Sequence, residues 1–222
     1  NDGTLNGTAS FVSGRVNNAV SLDGTTGWVD IPDQIFTGDF TIAAWVKLSG
    51  TIDNQDAICG QEGSGQDINF YGQNCRLYTG SSDAIVANTS ISSDEWVHYA
   101  ITRSGTLLTI YVDGQVDNTG SLHDDFIPKA LGRGSKGIGT EGLLDEVYLY
   151  SRELSQSEID ALYGAAQSIP VTGVTLSAST LNIEVGQSTQ LAESVLPTSA
   201  TNKWVSWSTS NGSVATVDSN GV

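Results

Sequence analysis

The sequence predicts an all-β protein: a sandwich or jelly roll first, then a second, shorter sandwich-like unit. Three observations predict it. Alternating apolar and polar residues bounded by turn signals recur from the N-terminus to about Tyr150. Glycine occurs 25 times and methionine never, against a background rich in Ser, Thr and Asn. Helical spacing is confined to one segment after Leu154.

In chain order, Ala19-Val20-Ser21-Leu22 leads into the turn dipeptide Asp23-Gly24, and Trp28-Val29-Asp30-Ile31 resumes the alternation. Phe40 to Lys47 is the clearest strand, with Phe40, Ile42, Ala44 and Val46 on one side. Asp67 to Tyr71 and Arg76 to Tyr78 form a pair across Gly72-Gln73-Asn74. Trp96 to Ile101 pairs with Leu107 to Val112, and Asp113-Gly114 makes the next hairpin turn. Gly142 to Tyr150 is the last long strand of this unit. Ser155-Gln156-Ser157-Glu158 reads as a capping box. Leu154, Ile159, Leu162 and Tyr163 give the following helix an apolar stripe, so it is expected to lie on the sandwich as a closing strap.

After Ser168 the texture changes, and Ile169-Pro170 marks the boundary. The domains are therefore drawn as 1–168 and 169–222. Val171 to Leu176, Leu181 to Val185, Thr189 to Leu191 and Val205 to Ser208 are short strands at regular spacing. The second unit falls short of the roughly 100 residues of a complete small sandwich, so it is expected to be incomplete.

The formal net charge of −16 repels phosphate backbones and anionic membranes, so nucleic acid and membrane are excluded as partners. It also disfavours polyanionic polymers unless arginine is focused locally. No apolar run approaches roughly 18 residues, and no signal peptide opens the chain, which reads as a fragment of a longer secreted precursor. In that compartment a disulfide between Cys59 and Cys75 is the default reading, contributing on the order of 3 kcal/mol. Two free buried thiols are the alternative.

The first unit resembles the laminin-G-like jelly-roll family of the concanavalin A-like lectin and glucanase fold. The resemblance rests on Val20-Ser21-Leu22-Asp23-Gly24 with Trp28-Val29-Asp30-Ile31, Phe40 to Val46, Glu95 to Ala100, Ile110 to Gly114, and Leu144 to Ser155. The second unit resembles the bacterial Ig-like group-2 family. It does so through Val174-Thr175-Leu176, Leu181 with Val185-Gly186-Gln187, Leu196-Pro197, and Trp207 to Asn211 leading to Val217. Such units usually act as spacers. The laminin-G-like resemblance also implies a structural calcium ion tying the N-terminal segment to the last strand, with Asp23 and Asp145 as ligands and Asp2 as a weaker one.

Hydrolases of this fold need carboxylates about 5 to 9 Å apart facing a cleft. No Glu-x-Asp-x-x-Glu run occurs, and His98 and His123 have no partner pointing to a nucleophile. The chain is therefore read as non-catalytic. Trp45, Trp96 and His98 are read as packing residues. Alternation on the central hairpin turns Ile68, Phe70 and Leu77 inward and puts Asn69, Tyr71, Arg76 and Tyr78 on one outer patch. Trp28 and Arg103 are added as ligand candidates, and Arg133 and Lys136 as bordering residues. An aromatic platform beside planar polar groups is what a pyranose face and its hydroxyl pairs require.

These readings predict a non-catalytic carbohydrate-binding module for an extracellular polysaccharide or oligosaccharide. It is expected to be monomeric within a larger multidomain protein, appended to a secreted bacterial glycoside hydrolase or polysaccharide lyase. The rival reading is an adhesion or structural module of a bacterial surface protein.

Overall fold

The computed structural model describes residues 3–222 except 33, 64, 138, 167–170, 199, 201 and 202. In chain order the strands are β1 (Thr4–Asn6), β2 (Ser10–Ser13), β3 (Asn18–Asp23), β4 (Trp28–Asp30), β5 (Phe40–Leu48), β6 (Ala57–Gly60) and β7 (Gln66–Tyr71). They continue as β8 (Asn74–Thr79), β9 (Asp83–Val86), β10 (Val97–Ser104), β11 (Leu107–Val112), β12 (Gln115–Ser121), β13 (Ala130–Leu131) and β14 (Glu141–Tyr150). A helix, α1 (Gln156–Ala165), follows, and then the pair β15 (Gly173–Leu176) and β16 (Glu193–Leu196). The chain divides into two compact units, 1–166 and 167–222. The expected 168/169 boundary lies outside the described residues.

Unit 1 is a sandwich of two seven-stranded sheets, ordered β1-β4-β13-β6-β7-β8-β9 and β12-β11-β10-β5-β14-β3-β2. Strand period two sends Ile68, Phe70 and Leu77 of the first sheet into the core to meet Ile42, Val46, Tyr99, Ile101 and Ile110 of the second. The turn at Asp113-Gly114 forms as expected, both residues at positive φ (49° and 79°), which suits the twist of a tight hairpin.

The alternate residues of β5 do not face solvent. Ala43 packs with Ala100, Tyr111, Leu154 and Ile159 in a second cluster beneath α1. Leu154 and Ile159 are 3 % and 0 % exposed, each contributing about 2 kcal/mol of apolar burial. Thr41 anchors the approach to the helix: its hydroxyl donates to the Arg152 carbonyl (2.9 Å) and accepts the Leu154 N–H (2.9 Å). At the helix start Glu158 accepts the Ser155 N–H at 2.9 Å and its hydroxyl at 3.0 Å, and pairs with Arg152 at 2.7 Å. These bonds, Arg152 first, lower the Glu158 carboxyl to about 2. The helix is the expected strap. Trp45 stacks on Tyr163 (5.5 Å) and lies 5.4 Å from His98, so both residues read as packing are packing. Trp96 stands just ahead of β10, half-buried.

The disulfide expectation is corrected. Cys59 and Cys75 are both free and buried. Cys59 pairs with Ile68 and Cys75 with Phe70, so β7 lies between them. Two strand spacings and a two-residue offset separate their Cα atoms by on the order of 11 Å, beyond the roughly 7 Å a disulfide spans. Burial pushes both thiols up, keeping them unreactive.

In unit 2, β15 and β16 pair antiparallel over Gly173–Leu176. Among the described residues, the segments expected as strands at 181–185, 189–191 and 205–208 are not in strands. Leu181 and Ile183 are 44 % and 47 % exposed, so no second layer covers them. No helix of the described residues is long and apolar enough to cross a membrane.

Two outcomes follow from the core. Protein unfolded without reductant should release two titratable thiols and, folded, none; a disulfide-linked peptide in a digest would contradict the register. His98 is 1 % exposed, and burial lowers its pKa to about 4. The unfolded state therefore binds the proton first, so His98 contributes its full stability above about pH 6.5 and loses it as pH falls toward 4. Urea unfolding should show a loss of about 3 kcal/mol across that window that His98→Asn lacks; parallel curves would refute it.

Candidate functional site

The Gly72-Gln73 turn, with Gly72 at φ +59°, closes β7 onto β8 in a tight hairpin. Its register pairs Asn69 with Arg76 and Asp67 with Tyr78. Alternation places Asn69, Tyr71, Arg76 and Tyr78 on the side away from the core, but Asn69 and Arg76 are covered there, at 2 % and 8 % exposure.

Arg76 is the centre of this face. Its guanidinium carbon sits 5.0 Å from the Tyr71 ring centroid and 4.6 Å from that of Tyr78. Its Nε donates to Asn69 Oδ1 at 2.7 Å and an Nη to Asp83 Oδ1 at 2.7 Å. The Tyr78 hydroxyl donates to the Gly80 carbonyl (3.0 Å). Every planar group is thereby held in one orientation, while Tyr71 remains 64 % exposed. A cation between two aromatic rings is a rigid shelf, since each ring face attracts the guanidinium and the hydrogen bonds fix its plane.

Two loops wall this shelf. Asn54 accepts from Asn69 Nδ2 through its backbone carbonyl (3.4 Å) and from Lys136 Nζ through its side chain (3.0 Å). Lys136, expected at the border, is there; Asn54 was missed, since no strand pattern marks it. On the same β6 side of the hairpin, Gly134 packs onto Asp67, where an added Cβ would meet Asp67 Oδ2 at 2.7 Å and Ala57 Cβ at 3.1 Å. The Ser135 N–H and hydroxyl each donate to Asp67 Oδ2 at 2.8 Å. Asp67 Oδ1 has no partner among the described residues, and burial pushes this carboxyl up. Asp56 is likewise raised by burial, although its oxygens accept the N–H groups of Asp53 and Glu141. At 4 % and 0 % exposure, Asp56 and Asp67 line no open cleft.

Two ligand candidates do not join the shelf. Arg103 is on β10, in the opposite sheet, paired with Phe40 and Leu108. It is 5 % exposed, with its guanidinium donating to the carbonyls of Gly105 (2.7 Å) and Asp124 (2.9 Å). Trp28 is on β4 of the same sheet as the shelf, but the Gly134–Ser135 segment packs onto Asp67 between them. Its Nε1 donates to Asp30 Oδ1 (2.8 Å) and Arg133 lies over its ring at 4.4 Å.

The calcium ligands do not converge either. Asp23 pairs with Glu141, four residues before Asp145 on β14, a separation of roughly 13 Å. Asp23 Oδ1 accepts the N–H groups of Thr25, Thr26 and Gly27 at 2.8 to 3.0 Å. The Thr8 hydroxyl, with the Thr26 and Thr25 N–H groups, holds this carboxyl well below its usual range. Asp145 accepts the Val16 and Glu146 N–H groups, both at 2.8 Å, clasping the β2–β3 turn to a bulge in β14. Both carboxylates thus accept backbone N–H groups at separate turns. Among the described residues no three acidic, histidine or cysteine side chains group as a metal site. Asp2 lies outside the described residues.

A two-sheet sandwich with an aromatic, polar outer face is the architecture of a lectin-like domain. The chain belongs to the concanavalin A-like lectin/glucanases superfamily, whose family model matches residues 23–160. Residues 170–222 match the model of the bacterial Ig-like domain (group 2). Domain 4 of AbnA, a GH43 extracellular arabinanase from Geobacillus stearothermophilus solved with arabinotriose, superposes with a TM-score of 0.63 and 22 % identity. That match covers 71 % of this chain and 82 % of that one. The binding domain of Paraclostridial Mosquitocidal Protein 1 superposes with a TM-score of 0.57 and 17 % identity, over 78 % of this chain and 52 % of that one. At these identities the likeness shows the fold. An "Ig-like virion protein" of Serratia phage KSP90 is 34 % identical over 101 residues, 44 % of this chain and 38 % of that protein. A kappa-carrageenase of Pseudoalteromonas carrageenovora is 50 % identical over 64 residues, 27 % of this chain and 16 % of that protein. The chain thus spans well under half the length of these curated relatives.

A chelator is expected to leave the melting temperature unchanged. Asp145→Ala should destabilise by about 2 kcal/mol, with or without calcium, because it strands two N–H donors. A fall with EDTA that disappears in Asp145→Ala would restore the metal.

Proposed function

We propose that the jelly-roll unit is a non-catalytic carbohydrate-binding module, carried in a secreted bacterial protein that degrades an extracellular polysaccharide. The observation that carries this reading is the Tyr71–Arg76–Tyr78 shelf. One ring face of Tyr71 is open beside a guanidinium and the Asn69 amide whose positions are fixed. A sugar ring stacks its C–H face on the exposed aromatic, and its hydroxyls meet Tyr78, Asn54 and Lys136 at the margins. The arabinanase domain solved with an arabinotriose and the partial match to a kappa-carrageenase support the sugar and the extracellular setting. The burial of Asp56 and Asp67 supports binding without cleavage, because neither carboxylate reaches a bond in solvent. One weak site suffices for such a module, since tethering raises the local concentration of an attached enzyme.

The second reading, an adhesion module, is favoured by the stretch shared with the phage virion protein. Affinity gels and calorimetry over a polysaccharide panel separate the two. Tyr71→Ala is expected to weaken glycan binding by about fivefold, the equivalent of roughly 1 kcal/mol of lost stacking, with an unchanged melting temperature. Binding of protein partners alone, indifferent to Tyr71→Ala, would hand the function to adhesion. Sustained release of reducing ends would refute the non-catalytic part.

A further inference from the structure

The two arginines on the outer side of this sheet, Arg76 in the shelf and Arg133 over Trp28 beyond the Gly134–Ser135 segment, are little open to solvent. Arg76 has a side chain 10 % exposed, and the Asp83 that holds it at 2.7 Å is 38 % exposed. Arg133, over Trp28 on the same sheet, repeats the arrangement: it is 22 % exposed, and its partner Glu62, at 2.6 Å, is 57 % exposed. In both pairs the guanidinium is the deeper partner and the carboxylate the outer one. Two of the Arg76 nitrogens are already committed, Nε to Asn69 and Nη1 to Asp83, and the guanidinium carbon lies over two ring faces, so little of this side chain is open to fork onto a sulfate or carboxylate. Lys136 differs from the two arginines in having a neutral partner, Asn54 at 3.0 Å. Asp83 and Glu62 each offset an arginine, so Lys136 adds one positive charge to the patch, within the field of a chain of net charge −16.

We infer that this face selects uncharged glycans and rejects sulfated or carboxylated ones, because Asp83 and Glu62 stand in front of the arginines that would otherwise bind the anion. The inference rests on the glycan-binding reading and adds the charge class of its ligand. The role of Arg76 follows from the same geometry: it is a brace that spaces Tyr71 and Tyr78, not an anion hook. An approaching sulfate meets Asp83 first, and like charges brought together at a rim oppose association. Salt would screen that repulsion over about 8 Å at physiological ionic strength, so the discrimination should narrow as salt rises.

The test measures calorimetric affinities of the whole chain for three oligosaccharides of matched length: neutral arabinan, neutral galactan and sulfated kappa-carrageenan. At least one neutral oligosaccharide should bind, and the sulfated one should bind more weakly by a factor of about ten or more at low salt. Asp83→Asn should shrink that gap at least about fivefold by uncovering the guanidinium. Because Asp83→Asn removes a partner of Arg76, its melting curve is recorded, and the salt dependence of the unaltered protein gives a second reading that needs no variant. Sulfated binding equal to or tighter than neutral binding overturns the inference and leaves the module reading standing. Binding to none of the three, with protein partners captured instead, overturns the module reading itself. An Asp83→Asn protein that folds yet keeps the full gap overturns the screening role of Asp83.

Discussion

The register of the β7–β8 hairpin is the constraint on which the rest of unit 1 depends. Asn69 opposite Arg76 and Phe70 opposite Cys75 fix which side chains fill the core and which face out. A slip by one residue would bring Phe70 and Leu77 to the surface and drive Arg76 into the interior, at the cost of an uncompensated buried charge. The two-residue turn at Gly72-Gln73 sets the count, and the apolar row from Ile68 through Leu77 to Ile85 holds it. The outer shelf is therefore specified by the packing beneath it.

Strand faces were legible in the sequence because period two is local information. Ile68, Phe70 and Leu77 went inward and Asn69, Tyr71, Arg76 and Tyr78 outward from alternation alone, and the strap helix from its spacing. Sheet order is not local, and the reading of the two cysteines misses because of it. Cys59 and Cys75 flank one hairpin in sequence, yet a whole strand separates them in space. Arg103 follows the core residues Tyr99 and Ile101 on the inner side of β10, so its parity alone removes it from an outer patch of the other sheet. Trp28 reaches the right sheet and the right side, but the segment running from Gly134 to Ser135 comes between. Nothing in a strand pattern announces where a glycine loop will cross.

The acidic residues divide by what surrounds them rather than by sequence context. Asp23 in its glycine turn and Asp145 on the last strand suited a cation by resemblance, and both gather backbone N–H groups. Gly14 shows how closely: a Cβ there would lie 2.5 Å from Asp145 Oδ2. Asp67 is the contrasting case, buried with one oxygen unpaired and a raised pKa, in a wall of the shelf rather than in a cleft. Four of the 25 acidic residues thus have identifiable structural work: Asp23 and Asp145 hold turns, and Asp83 and Glu62 hold guanidinium groups.

The helix that follows β14 has an effect on how the sandwich can be handled. With Tyr163 laid over Trp45 and Ile159 sealed beneath, that side is a back plate. The helix covers the outer side of one sheet, and the proposed shelf lies on the outer side of the other. A dye, a resin or a fusion partner attached along the solvent side of the helix leaves the tyrosines unobstructed, whereas the same attachment near Gly80 would blind them.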